Sequence, residues 1–368
     1  MFNLYPGRAA AEVDFVIDNG EDVFPVEVKV ETNLQANLTF FFSGLVVSSC
    51  TEQVAQMTRE NEQLKLNETN QHYRSLNSFL REQFGEKVYK LALDGGFTCP
   101  TRDGSKGTGG CTFCAGGSGD FAIPVGDNVS EAIEMAKAVV AEKGAKKFIA
   151  YYQSYTGTYA PIERLRNLYT ETLRHPDIAA LSIGTRPDCL DDEVITLLKE
   201  LNSKKPVWIE LGLQTIHELT ALTIRRGYPL KVYDDAVRRL QAAGITVIVH
   251  MIIGLPGETP EMIRQTAAYI GRSGVQGIKF QLLHVLEGTD LAEEYRAGAL
   301  EVLSLDTYIR ILEECIESIP PEMVVHRLTG DGAKRSLIAP RWSADKKRVL
   351  NEINRAFERD RIRQGKRN

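Results

Sequence analysis

The stretch 97–114, FTCPTRDGSKGTGGCTFC, follows the apolar run 88–93 and contains three cysteines, Cys99, Cys111 and Cys114. Two residues separate Cys111 from Cys114, so that pair can direct two thiolates at one metal centre. The eleven residues before the pair let Cys99 approach the same centre from another side. Three sulfurs without a fourth protein ligand suit an iron–sulfur cluster that keeps one iron open. The sequence therefore predicts a metal site at the end of a strand.

Clustered cysteines also occur in disulfides and in structural zinc sites. Six cysteines in 368 residues, with no signal-peptide pattern, favour a reducing compartment, and we expect a cytoplasmic protein. A zinc tetrahedron needs a fourth ligand, and this loop offers only Asp103 for that position. The isolated cysteines, Cys50, Cys189 and Cys315, are interpreted as small hydrophobic residues.

The composition is that of a globular protein, with 43% hydrophobic and 25% charged residues. The longest apolar stretch, about residues 38–47, is too short to cross a bilayer, so we expect no membrane partner. Charge is distributed unevenly around the formal net value of −5. Residues 1–56 hold eight acids and two bases, whereas residues 346–368 hold nine bases and three acids.

Residues 1–56 look foreign to the rest of the chain. Glu12, Asp14 and the segment PVEVK (25–29) resemble the acid and ExK strand pair of PD-(D/E)xK nuclease-like domains. Such carboxylates can bind Mg²⁺. About thirty residues match, which is too few to form a core. We therefore interpret residues 1–56 as a poorly structured domain fragment, with Met57 as an alternative first residue.

From residue 70 onward, apolar strands alternate with amphipathic helices. Strands are predicted over 88–94, 147–153, 178–185, 207–214, 246–253 and 277–285, and helices over 73–84, 129–143, 161–174, 191–201, 231–243 and 260–273. Six strand–helix units of this length indicate an α/β fold with a parallel sheet. Reactive residues gather at the carboxyl ends of such strands, where the cysteine loop lies.

The cysteine loop resembles the cluster-binding loop of radical S-adenosylmethionine (radical SAM) enzymes. The common spacing there is C-x3-C-x2-C, whereas this chain has C-x11-C-x2-C. The longer form, followed by HRLTGDG (326–332) and LIAPRWS (337–343), closely resembles one bacterial subfamily. The resemblance runs from about residue 70 to the C-terminus. It implies an open (βα)6 partial TIM barrel over 57–290 and a small α+β extension over 291–368.

The resemblance implies a single [4Fe-4S] cluster held by the three thiolates, with S-adenosylmethionine (SAM) chelating the fourth iron. An electron from the reduced cluster would cleave SAM to methionine and a 5′-deoxyadenosyl radical, which abstracts a hydrogen atom from the substrate. The protein would orient the reactants and exclude water. Such an enzyme needs a reductant, such as flavodoxin or ferredoxin, as a partner.

The resemblance also implies SAM contacts at the carboxyl ends of the strands, where IGTRPD (183–188) and GLPGE (254–258) resemble segments of related enzymes. The implied contacts are Phe113, Gln153, Thr156, Thr185, Arg186, Glu210, Gln214, Gly254 and Pro256.

Three of these residues have ordinary structural alternatives. Phe113 can pack over the loop instead of lying near the adenine. Arg186 can pair with the SAM carboxylate, or with Asp188 or Asp191. Glu210 can bind SAM or substrate, or form a salt bridge inside the barrel, because a lone buried carboxylate is costly.

Four polar residues, His250, Lys279, Gln281 and His284, are candidate substrate contacts, with hydrogen-bonded core residues as the alternative. A helix over 305–319, a strand over 324–328 and a basic helix from 343 resemble the extension of elongator-type enzymes, which act on the tRNA wobble uridine. Arg225, Arg226 and the basic tail are candidate phosphate contacts, unless the tail is merely a solvated face.

The predicted function is therefore tRNA modification by radical SAM chemistry. A radical SAM enzyme acting on a small metabolite, and a non-catalytic zinc- or cluster-binding adaptor protein, are the alternatives. The oligomeric state is not specified by these patterns.

Overall fold

The computed structural model describes residues 12–18, 23–29, 72–116, 121–330 and 335–367. The chain divides into two compact units, residues 1–70 and residues 71–368.

The first unit contains a pair of antiparallel strands, β1 (Glu12–Asp18) and β2 (Val23–Lys29). The acidic motif lies on β1 and the ExK motif on β2, with Asp14 opposite Glu27 in the register. The rest of the predicted fragment, including Cys50 and Met57, lies outside the described residues.

The second unit is built on a sheet whose neighbouring strands are all parallel. Its described strands are β3 (Val88–Asp94), β4 (Ile123–Pro124), β5 (Lys147–Tyr152), β6 (Ile178–Thr185), β7 (Val207–Gln214), β8 (Thr246–Ile253), β9 (Gly277–Leu282), β10 (Val285–Leu286), β11 (Val324–Arg327) and β12 (Leu337–Ala339). Eight of them form one sheet in the order β11-β9-β8-β7-β6-β5-β3-β4, and β10 pairs with β12. This open parallel sheet confirms the predicted partial barrel.

Helices lie between most successive strands of the sheet, as pairing between parallel strands requires. They are α1 (Leu76–Phe84), α2 (Val129–Val139), α3 (Ile162–Arg174), α4 (Asp192–Asn202), α5 (Glu218–Thr223), α6 (Leu230–Ala242), α7 (Pro260–Arg272), α8 (Asp290–Arg296), α9 (Leu305–Glu317) and α10 (Lys346–Arg359). Polar side chains cap several of these helices at their amino ends. Each capping side chain accepts a hydrogen bond from the backbone amide three residues later in the chain. These caps are Ser75, Asn128, Asp191, Thr259 and Ser304.

Two predicted elements are shorter than expected. The helix predicted over 129–143 ends at Val139, and 141–143 form a 3₁₀ turn before Gly144. The strand predicted over 277–285 ends at Leu282, because the chain then turns to form β10.

Inward-facing residues form layers along the barrel, as the two-residue repeat of strands requires. The layer at the amino ends of the strands is apolar and is covered by Leu80 of α1; its members are Val88, Ile149, Ala180, Trp208 and Ile248. The next layer, two residues further along each strand, is polar: Lys90, Tyr151, Ser182, Glu210 and His250, joined by Lys279 of β9. The opposite face of the sheet packs on the helices in the main core.

The C-terminal region continues the barrel sheet, since β11 pairs with β9. The basic terminal helix predicted from 343 begins at Lys346, because the carboxylate of Asp345 caps it by accepting from the Arg348 amide. None of the described helices is long and apolar enough to cross a membrane.

Candidate active site

The cysteine loop leaves the carboxyl end of β3 and folds back on itself through backbone hydrogen bonds. The amide of Arg102 donates to the Cys99 carbonyl at 2.8 Å, and the amide of Gly110 donates to the Thr101 carbonyl at 2.9 Å. Gly110 has φ +75°, and a Cβ at this position would lie 2.7 Å from Nε of Arg102. The left-handed φ favours glycine there, and the tight return brings the Cys111–Cys114 end back towards Cys99.

The segment after α5 holds the far end of this loop. The amide of Thr112 donates to the carbonyl of Ile224 at 3.2 Å, and the Cys111 thiol lies 3.6 Å from the Arg225 carbonyl. Arg225 has φ +53°, a left-handed conformation that is uncommon for arginine. Such strain persists only where surrounding structure imposes it, and here it places two carbonyls against the cysteine loop.

Cationic side chains surround the thiols. The Arg102 guanidinium donates to the Cys114 carbonyl, and Arg186 donates to both carboxylate oxygens of Asp188 at 2.9 and 3.1 Å. Burial raises the pKa of Cys111 to about 11, although Arg186 opposes this shift. The thiol is therefore protonated at neutral pH, and metal binding must release its proton.

The three thiols of the loop are not arranged as a preformed zinc site. Among the described residues, three metal-ligating atoms lie within 4.8 Å of one another only in Glu134, His175 and Asp177, and not in the cysteine loop. A tetrahedral zinc with Zn–S bonds of 2.3 Å would hold its thiolates about 3.8 Å apart. At least one pair of the three thiols is therefore more widely spaced than a bound zinc ion would hold them.

Polar groups without partners gather at the carboxyl ends of β5 and β7. In the part of the chain that the structure describes, four buried atoms there lack a hydrogen-bond partner: Gln153 Nε2, Ser154 Oγ, Thr156 Oγ1 and Gln214 Oε1. Leaving such groups unpaired costs about 1–3 kcal/mol each. Gln214 also has φ +70°. These donors and acceptors fit a polar ligand such as the methionyl and ribose groups of SAM.

Glu210 is the hub of the polar layer below this region. Its Oε1 accepts from Lys90 at 2.6 Å and from Ser182 at 2.7 Å. Its Oε2 accepts from His250 at 2.7 Å and from Lys279. The side chain is fully buried. The structure thus shows the internal salt bridge rather than the implied SAM contact, because both carboxylate oxygens are already saturated.

The charges of this layer set its protonation states. Although burial opposes ionisation, Lys279 and Lys90 hold the pKa of Glu210 well below its usual value. Burial lowers the pKa of Lys279 to about 7, against the attraction of Glu210. Burial and Lys279 lower the pKa of His250 to about 4. His250 is therefore neutral at pH 7, and it donates from Nε2 to Glu210 while Gln281 donates to its Nδ1 at 3.0 Å.

Comparison with known families decides what this arrangement is. Residues 104–270 match the family model of the radical SAM superfamily, and residues 275–359 match that of the Radical_SAM C-terminal domain. The uncharacterized protein YtqA of Bacillus subtilis is 46% identical over 309 residues, covering 83% of this chain and 96% of that protein. The chain belongs to the radical SAM superfamily.

Other relatives extend this comparison. Protein YhcC of Escherichia coli is 38% identical over 277 residues, covering 75% of this radical SAM chain and 89% of that protein. The tRNA uridine(34) acetyltransferase of Methanocaldococcus jannaschii is 29% identical over 157 residues, covering 42% of this chain and 28% of that protein. The archaeal Elp3 structure from Methanocaldococcus infernus shares the fold, with a TM-score of 0.58 at 17% identity, covering 75% of this chain and 64% of that one.

The protein is a radical SAM enzyme that uses a [4Fe-4S] cluster and SAM, and it requires a reductant. When bound, the cluster supplies the electron for reductive cleavage of SAM. Cys99, Cys111 and Cys114 are the residues that fit the cluster, since they are the free thiols of the loop. The unpaired groups at the ends of β5 and β7 are polar atoms that a polar ligand such as SAM would satisfy.

Two of the predicted SAM contacts, Phe113 and Arg186, make the structural contacts that were their alternatives, and Arg226 is buried. The Phe113 ring packs against the apolar cluster that contains Ile224 and Leu255. Arg186 is paired with Asp188. The prediction that Arg226 contacts phosphate is wrong, because the residue is only 1% exposed. Its guanidinium donates to carbonyl oxygens at the end of β7 and in the following turn.

The remaining predicted residues lie at or near the strand ends. The Thr185 hydroxyl is hydrogen-bonded to that of Thr158 in a buried contact. Gly254 has φ +95°, and a Cβ there would lie 3.0 Å from Leu303, so the GLPGE turn containing Pro256 requires glycine at its start. His284 lies against Gly330, in the short segment between β9 and β10.

Sequence reasoning missed Lys90, Ser182 and Tyr151 as members of the polar layer. Lys90 was detectable, because it is the one cation inside the otherwise apolar segment 88–93 and shares the inward face of its neighbours at ±2. Its ammonium lies 4.9 Å from the Tyr151 ring centre, a cation–π contact that a strand pattern cannot reveal.

Proposed function

We propose that this radical SAM enzyme modifies a base of tRNA, with the wobble uridine as the candidate target. The observation that carries the proposal is the polar layer of the barrel, the floor of its interior, together with the unpaired polar groups at the carboxyl ends of β5 and β7. The similarity to tRNA uridine(34) acetyltransferases supports it, as does the basic C-terminal segment, which holds nine bases and three acids.

The floor offers donors that suit a uracil ring. The ammonium of Lys90, on a side chain that is 16% exposed, and the amide of half-buried Gln281 are such donors. His250 commits its Nε2 proton to Glu210 and holds the Gln281 amide through Nδ1, so it positions Gln281. Uracil presents two carbonyl acceptors and one N–H, and enzymes read an extruded base by hydrogen bonds to these edges. Lys279 lies deeper, at 4% side-chain exposure, and positions Glu210 rather than facing the base.

The SAM contacts follow from the same strand ends. The side-chain amide of Gln153 and the hydroxyl of Thr156 would bind the methionyl group of SAM. The side-chain amide of Gln214 would bind the ribose. Arg186, if it exchanges Asp188 for the SAM carboxylate, would be a charge-assisted contact. Thr185, Gly254 and Pro256 would shape the pocket, and Phe113 would support the loop.

The test uses the full chain after anaerobic reconstitution of the cluster. SAM and dithionite are added, and 5′-deoxyadenosine is quantified with bulk tRNA, with a small-molecule extract, or with neither. We expect tRNA to stimulate 5′-deoxyadenosine formation, and we expect mass spectrometry to find a missing modified uridine in tRNA from a deletion strain. Stimulation by the small-molecule extract alone, with unchanged tRNA nucleosides, would contradict the tRNA proposal and favour a small metabolite.

A matched pair of variants links the floor to the substrate. His250→Gln removes the imidazole beside Gln281, whereas His175→Gln alters a buried histidine on the helix side of the barrel. His250→Gln should reduce the stimulation by tRNA while keeping the basal 5′-deoxyadenosine level. His175→Gln should change neither rate.

A further inference from the structure

A groove of about 460 Å³ lies between α9 and α10, outside the barrel lumen. Arg310 of α9 lines one wall, and Arg348, Arg355 and Arg359 of α10 line the other. Four guanidinium groups thus face one groove, in which Asp306 and Glu352 are the acidic residues of the lining. The groove is cationic on balance.

The packing of α10 fixes the direction of these arginines. Val349, Ile353, Ala356 and Phe357 bury the inner face of the helix. Arg348, Arg355 and Arg359 recur at helical spacing on another face, so they form one stripe along the groove. Arg348 and Arg359 are eleven positions apart, which corresponds to about 16.5 Å along the helix at 1.5 Å per residue. That length can contact more than one phosphate of a nucleic-acid strand.

Two of the four guanidinium groups are available for an anion. Within the described residues, neither Arg310 nor Arg348 forms an ion pair; Arg310 has only a 3.4 Å contact with the Thr307 hydroxyl. Arg355 instead pairs with Glu352 at 3.3 Å, and Arg359 pairs with Asp360 at 2.6 Å. Guanidinium groups bind phosphate through paired N–H donors, and a group with no partner to lose does so at lower cost.

The groove begins at the catalytic end of the barrel. β9 and β11 are parallel neighbours joined through α9, so the amino end of α9 lies at the carboxyl ends of the strands. Leu303, two residues before α9, touches the Gly254 position at the end of β8. The indole of Trp342, just before α10, donates to the Leu303 carbonyl at 3.0 Å. A nucleic-acid strand lying in the groove can therefore continue towards the carboxyl ends of the barrel strands, where the cysteine loop lies.

The segment that contains α10 is also basic, and three of its bases, Arg348, Arg355 and Arg359, line the groove. Residues 346–368 hold nine bases and three acids, whereas the whole chain has a formal net charge of −5. A local basic surface on an otherwise acidic protein directs a polyanion to that surface and away from the rest.

We propose that this groove binds the sugar–phosphate backbone of the RNA substrate, with Arg310 and Arg348 as the phosphate contacts. The inference rests on the proposed tRNA function and assigns it a second contact region, separate from the barrel lumen where the base is read. Phosphate contacts fix position without reading sequence, so the groove would set orientation and affinity rather than base specificity.

The test compares Arg310→Gln, Arg348→Gln and the double variant with Arg238→Gln, an exposed arginine of α6 whose side chain is 72% accessible. Affinity of the reconstituted full chain for bulk tRNA is measured by fluorescence anisotropy over a series of salt concentrations. Each groove substitution should weaken binding about tenfold, and each should reduce the slope of log K against log salt by about 1. Arg238→Gln should change neither quantity, and thermal melting and tRNA-independent 5′-deoxyadenosine formation should be unchanged in all variants.

The possible outcomes distinguish a failure of the groove assignment from a failure of the proposed tRNA function. Wild-type protein that neither binds tRNA nor is stimulated by it would overturn the proposed function and the groove assignment with it. Wild-type protein that is stimulated by tRNA, with a double variant that binds as tightly and with the same salt slope, would overturn the groove assignment alone. Charge reversal by Arg348→Glu that left tRNA binding intact would likewise overturn the groove assignment.

Discussion

Replacing Glu210 by glutamine removes the charge at the hub of the barrel interior while keeping its shape. In the native protein the carboxylate accepts bonds from Lys90, Ser182, His250 and Lys279. The amide leaves the buried ammonium of Lys279 and the partly buried ammonium of Lys90 without a counter-ion, and breaking a buried ion pair by removing one partner costs about 3–5 kcal/mol. We therefore expect the free energy of unfolding to fall by about that amount at pH 6, where Lys279 is charged in the native state, its pKa being about 7.

The assay is guanidinium unfolding followed by tryptophan fluorescence, because Trp208 lies in the layer next to Glu210. Glu261→Gln is the matched control, since Glu261 pairs with Arg264 on the exposed face of α7 and should leave the midpoint unchanged. Adding Lys279→Met to Glu210→Gln removes one uncompensated ammonium and should recover part of the loss. A loss below about 1 kcal/mol for Glu210→Gln, or no recovery in the double variant, would refute this reasoning.

Three further predictions concern the cluster, the strand ends and pH. Cys111→Ser should abolish iron retention after reconstitution, measured by iron analysis, whereas Cys189→Ser should retain it; equal iron in both would contradict the ligand assignment. Gly157→Ala should lower the free energy of unfolding by about 1–3 kcal/mol, seen as a lower melting temperature, because the new Cβ would lie 2.7 Å from a methyl group of β6. It should also lower the affinity for SAM. Gly126→Ala, where nothing lies within 4 Å, should be neutral, and equal effects would refute the steric argument. The pKa of His250 is about 4 in the native state and 6.5 in the unfolded chain, so the unfolded chain binds more protons between these values and stability is lost as pH falls through that window. His250→Gln should remove a slope of up to about 1.4 kcal/mol per pH unit from unfolding measured at pH 4.5–6.5, and an unchanged slope would contradict the assignment.

The parallel sheet and the position of the cysteine loop were predictable from local patterns. Apolar runs such as 178–185, 207–214 and 246–253 coincide with β6, β7 and β8, since strands buried on both faces are continuously apolar. The loop follows β3, so its place at the carboxyl edge followed from topology.

Partner identities were not predictable, because a two-residue repeat gives the face of a side chain but not its neighbour across the barrel. Glu210 was identified as inward-facing, yet its contact with Lys90 joins residues 120 positions apart. Arg226 shows the same limit on a loop. Its charge indicated a surface contact with phosphate. Its guanidinium is instead buried, because it donates hydrogen bonds to carbonyl oxygens at the end of β7.

The open iron of the cluster can be tested by electron paramagnetic resonance. Reconstituted full-length protein is reduced with dithionite, and its spectrum is recorded before and after SAM is added, alongside iron analysis. With three thiolates as the cluster ligands, we predict about four iron atoms per chain and a spectrum that changes on SAM addition. A full complement of iron with a spectrum that SAM leaves unchanged would show that the fourth iron is not open, and would contradict the assignment of this site.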